Sequence, residues 1–116
     1  MKREIIGAQG EVTICRIADG TMPQGLELLA EKDANNRPII SHSESGHHHV
    51  LERPVEVRVS QAEGMRVLYA LLDQPTRLLQ DAANAHGEHM LQPGLYEFRI
   101  AREYDPFADE VRRVAD

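Results

Sequence analysis

Met65-Arg66-Val67-Leu68-Tyr69-Ala70-Leu71-Leu72-Asp73-Gln74-Pro75-Thr76-Arg77-Leu78-Leu79-Gln80 is the stretch on which the fold class turns. Met65, Leu68, Tyr69 and Leu72 fall at i, i+3, i+4 and i+7, the spacing of an apolar helix face, and Ser60 with Glu63 has the spacing of a capping box. The same residues also alternate, with Val67, Tyr69 and Leu71 against Leu68, Ala70 and Leu72, as in a strand buried on both faces. Gly64 would then sit in a hairpin turn, where it weakens nothing; inside a helix it would cost stability. Pro75 ends either element. Thr76 to Ala85 shares the ambiguity, because Leu78, Leu79, Ala82 and Ala83 also suit a helix. Both readings stand over 65–85, and strands are preferred.

The flanking chain points the same way. Val55-Glu56-Val57-Arg58-Val59-Ser60 alternates strictly, three valines on one face and polar residues on the other, which predicts a half-buried strand. Past the Pro93-Gly94 turn, Leu95 to Tyr104 places Tyr96, Phe98 and Ile100 on one face and Glu97 and Arg99 on the other. Toward the N-terminus, Glu11 to Ala18 is apolar on both faces, as a central strand would be, and Asp33 to Pro38 is a turn. Leu26 to Ala30 fits either a short strand or one helical turn. Asp105 with Pro106, early acids Asp109 and Glu110 and late Arg112 and Arg113 predict a short C-terminal helix with Phe107, Val111 and Val114 as its buried stripe. The expected fold is mainly β, a small barrel or sandwich with that helix, over residues 1–116 as one domain.

Composition narrows the function classes. Thirteen basic against nineteen acidic residues leave a net charge of -6, which repels a phosphate backbone, and the chain has no tryptophan to stack on bases. Nucleic acid is therefore not an expected partner. No apolar run approaches the ~20 residues of a membrane span, and the N-terminal residues lack a secretory pattern, so the expectation is a cytoplasmic protein with no membrane partner. A sheet of this size leaves edges and much surface for its volume, which predicts a homo-oligomer. Cys15, alone in the chain, reads as a small core residue.

The six histidines fall into two knots, His42 with His47 to His49, and His86 with His89. In an extended strand His47 and His49 share a face and His48 points away. Imidazole is the commonest metal ligand, and two from one strand with one or two from another would hold zinc, iron or manganese. The candidate metal ligands are His47, His49, His86, His89 and Glu52, and occupancy should fall as pH drops through about 6.5, because a metal must displace protons from imidazole. The alternative is that these are surface histidines with no ion. No phosphate loop, nucleophile elbow or dinucleotide fingerprint is present, and no reaction is named by the residues.

Two resemblances attach to these motifs. Gly46-His47-His48-His49 followed by Glu52 resembles the first cupin motif, a glycine followed by His-x-His and then a glutamate, which implies a small β-barrel and a metal held by His47, His49, Glu52 and a later histidine. Pro93-Gly94 follows His86 and His89, whereas the cupin Pro-Gly precedes its histidine. Gly46-His47-x-His49, a later histidine pair, Pro93-Gly94-x-Tyr96, Arg102-Glu103-Tyr104 and the closing Arg112-Arg113-Val114-Ala115-Asp116 are similar to a family of small uncharacterised proteins from bacteria and their phages. That likeness implies strands through 65–80 and a phage or mobile-element role. The two functional readings are thus a metal-binding β protein with a histidine-rich site and a non-catalytic structural or interaction module.

Overall fold

The computed structural model describes residues 2–18, 20–42, 48–62, 65–80 and 88–101. The described strands are β1 (Arg3–Gln9), β2 (Val12–Ile17), β3 (Glu27–Leu28), β4 (Ile39–Ser41), β5 (His49–Leu51), β6 (Val57–Ala62), β7 (Met65–Leu72), β8 (Thr76–Gln80), β9 (His89–Leu91) and β10 (Gly94–Ala101). They form a six-stranded sheet in the order β1-β2-β10-β7-β6-β3 and a four-stranded sheet in the order β4-β5-β8-β9, with every pairing antiparallel. Of the two expected architectures, the sandwich is the one found: two sheets share a core and do not close into a barrel. The expected C-terminal helix lies outside the described residues. Among the described residues no helix is long and apolar enough to cross a membrane.

The ambiguous stretch 65–80 is two strands. β7 is bonded on both edges, to β6 and to β10, and an inner strand of this kind buries side chains on both faces, which is why its pattern mimics a helix. Leu68, Ala70 and Leu72 enter the shared core, while Val67 and Tyr69 are buried on the outer face of the sheet. The helical spacing Met65, Leu68, Tyr69, Leu72 puts residues of opposite faces together and corresponds to no packed surface. The core takes Val12 and Ile14 from β2, Tyr96 and Phe98 from β10, and Ile40, Leu51, Leu78 and Leu91 from the four strands of the smaller sheet. These are inward positions of period two, except Ile40, which is the extra residue where the register of β4 on β5 shifts.

β1 departs from that period once. Ile5 pairs with Cys15 and Gly7 with Ile14, so Ile6 is an extra residue, a bulge. Before it Arg3 and Ile5 share the outer face with Cys15 and Ile17; after it Gly7 and Gln9 share the inner face with Ile14 and Val12.

The outer face holds a feature that the alternation of β10 conceals. Glu97, on the polar side of its strand, is 0% exposed. Arg3 donates to it through Nε at 2.6 Å and Nη2 at 3.1 Å, Arg99 through Nη1 at 2.9 Å, and the Tyr69 hydroxyl at 2.8 Å. Burial pushes the Glu97 carboxyl up, but these donors outweigh it and hold the group below its ordinary value of 4.5. Burial, then the bond to Glu97, pushes the Tyr69 phenol up to about 12. A carboxyl whose folded pKa lies below its unfolded value contributes stability that is complete above the unfolded value and is lost as pH falls through the folded one. Unfolding free energy, followed by urea titration at a series of pH values, should therefore fall below about pH 4.5, and Glu97→Gln should flatten that acid limb.

Candidate functional site

His49 stands on the inward face of β5, opposite Ser41 of β4 and Gln80 of β8. Its ring is 1% exposed, which for an imidazole demands partners on both nitrogens. They come from the other sheet. The hairpin between β1 and β2 turns through Gly10 and Glu11, with Gln9 facing Val12, and the turn is laid against the ring. Gly10 has φ 57°, a left-handed conformation, and a Cβ on it would stand 3.1 Å from His49 Cε1. Both constraints select glycine.

The two residues beside that glycine hold the ring. His49 Nδ1 lies 2.7 Å from Gln9 Oε1, and His49 Nε2 lies 3.2 Å from Glu11 Oε2. Gln9 Nε2 donates to the Leu78 carbonyl at 3.0 Å, and the Ser41 hydroxyl donates to Glu11 Oε1 at 2.7 Å. The chain of groups Ser41, Glu11, His49, Gln9, Leu78 thus runs across the gap between the sheets. Burial raises the Glu11 carboxyl, but hydrogen bonds from Ser41 and from its own backbone, with the neighbouring His49, outweigh it and keep it below its ordinary value.

The donor count around His49 is informative. With its amide nitrogen spent on Leu78, Gln9 presents Oε1, an acceptor, so the ring proton belongs on Nδ1. Nε2 of the neutral ring is then a lone pair facing the carboxylate of Glu11. Two acceptors at 3.2 Å repel unless a proton or a cation lies between them.

Among the residues expected to hold a metal, His49 and His89 take different partners. His89, two strands away with β8 between them, places Nε2 3.0 Å from the Ala8 carbonyl and packs its ring over Gly7, where an added Cβ would come within 2.8 Å. Glu52 faces away from the site: its Oε1 accepts from the Arg77 backbone N–H at 2.9 Å and Oε2 lies 3.7 Å from Arg77 Nη1. His47 and His86 lie outside the described residues. Among the described residues no group of three or more His, Cys, Asp or Glu side chains is placed to hold a metal ion.

The residues that sequence reading missed are Gln9, Glu11 and Ser41. Glu11 reads as the start of a strand, and nothing local marks it as a partner for a histidine 38 positions on. The one available signal was Gly10 between two polar residues, a turn able to carry both toward one target.

Fold and site together define a two-sheet antiparallel β protein with a polar chain of carboxylate, imidazole and amide buried between its sheets. The chain belongs to the family defined by a domain of unknown function, DUF8820, whose match spans residues 8–101 and so includes β2 to β10, the Gln9-to-Glu11 turn and His49. No curated protein and no solved structure matches it.

Proposed function

We propose that the protein binds a divalent metal ion, zinc in the first instance or iron or manganese, between Glu11 and His49. The observation that supports this is the facing of His49 Nε2 and Glu11 Oε2 at 3.2 Å with the opposite ring nitrogen already oriented by Gln9. Ligand bonds of 2.0–2.2 Å at one ion place neighbouring donor atoms about 2.9–3.5 Å apart, so the pair has the separation that chelation requires. The contact of Gln9 with Nδ1 is the kind of supporting hydrogen bond that fixes a ligating imidazole. Glu11 is only partly buried, its side chain 27% exposed, so an ion has an approach. Two further imidazoles, His47 and His86, lie outside the described residues. They would complete the ligand set; His89 and Glu52 would not.

The test is metal content and zinc titration of untagged protein. One equivalent is expected, with Glu11→Gln and His49→Ala each abolishing it and Gln9→Ala weakening it by about 10–100-fold. Glu11→Gln keeps the shape of the side chain, so its result is readable even if His49→Ala unfolds. Absence of zinc binding, or binding indifferent to Glu11→Gln, sinks the reading.

The non-catalytic module has one observation in its favour. β1 is an edge strand of seven residues, and Ile5 and Ile6 on it are exposed. Long apolar edges invite another strand, which would serve a homo-oligomer.

A further inference from the structure

The β4–β5 hairpin has a second face. Ser41 and His49 are partners across it, so His42 and His48, the next positions outward, are brought opposite each other on the side away from the core. Their rings meet with centroids 4.8 Å apart and planes inclined at 76°. Among the described residues His48 Nδ1 is buried without a hydrogen-bond partner. A buried polar atom of this kind needs an explanation, since elsewhere such atoms are nearly always satisfied.

We infer that His42 and His48 form a cation site of their own, distinct from the Glu11–His49 pair, which takes a borderline divalent ion of the copper(II) or nickel(II) type. An ion bound by two imidazoles at 2.0–2.1 Å lies about 3.2 Å from each ring centre, which sets the centres about 4.5–5.3 Å apart for bond angles between square and tetrahedral. The observed separation of 4.8 Å falls inside that window. Imidazole pairs with water in the remaining positions suit copper(II) best of the first-row divalent ions, by ligand type and by the order of affinities. Exposed His42 leaves the site open to solution, and a bond from the ion to Nδ1 of His48 would supply the partner that this atom lacks.

The experiment is copper(II) titration of the untagged full chain, followed by electron paramagnetic resonance, on the wild type and on His42→Ala, His48→Ala and Glu11→Gln. The expected result is nitrogen hyperfine structure from two imidazoles, at least tenfold weaker binding in each of the two histidine variants, and unchanged binding at this site in Glu11→Gln. His42 is exposed, so His42→Ala does not put folding at stake. Unchanged affinity and spectrum in His42→Ala, or a signal lost in Glu11→Gln alone, overturns the inference. Because the two sites share no ligand, zinc results on Glu11 and copper results on His42 fail or succeed independently.

Discussion

Replacing Glu97 with alanine is expected to lower the melting temperature by roughly 10–20 °C. The carboxylate is fully buried and receives four hydrogen bonds, three from arginines and one from Tyr69. Removing one partner of a buried ion pair costs about 3–5 kcal/mol, because the charges left behind lose their compensation. The side chains of Arg3 and Arg99 are 40% and 33% exposed, so both can turn toward water, and the lower end of that range, about 3 kcal/mol, is expected. For a domain of this length each kcal/mol corresponds to a shift of ~4–6 °C. Glu97→Gln keeps an acceptor for Tyr69 and should lose less. Thermal unfolding by circular dichroism reads both, and a shift under about 2 °C in Glu97→Ala would show that the cluster contributes nothing.

Leu68→Ala and Leu71→Ala should separate by at least about 2 kcal/mol. Leu68 is 0% exposed in the shared core and Leu71 is 64% exposed on the outer face, three positions along the same strand. Truncating a core leucine costs about 2–5 kcal/mol through lost transfer energy and the cavity left behind. A surface truncation stays within about 0.5 kcal/mol. The pair samples both faces of β7, and equal losses in urea unfolding would contradict the strand geometry that sets them apart.

That geometry was legible where alternation was strict and burial one-sided. Val57 is buried and Val55 and Val59 pack against the core, and Tyr96, Phe98 and Ile100 form one face of β10 as their spacing predicts. Over 65–80 the pattern was two-sided, because β7 is an inner strand flanked on both edges, and periodicity cannot separate that from a buried helix. Glu97 shows another limit: its place in the alternation puts it on the outer face, but the partners that meet it there include Tyr69 from the neighbouring strand and Arg3 from the edge strand, 94 positions away. The same holds for His49. Its inward direction follows from strand geometry, whereas Gln9 and Glu11 reach it through sheet packing between segments about 40 residues apart, a contact that no local spacing encodes.

The bulge at Ile6 lets one short ribbon serve two masters. Ahead of it the ribbon lends Arg3 to the carboxylate on one side of the sheet; behind it, Gln9 goes to the imidazole on the other. A strand of unbroken pleat carries Arg3 and Gln9 on a single face, since they are six positions apart. Straightening the bulge at the present length would therefore send one of the two side chains to the wrong side of the sheet, whereas losing the extra residue together with the bulge leaves them five positions apart on an unbroken pleat, still on opposite faces. Over evolutionary time this segment can shed the bulge and its extra residue together, but a one-residue change of length that keeps the bulge, or a straightening that keeps the length, should be purged from it although it lies at the rim of the molecule.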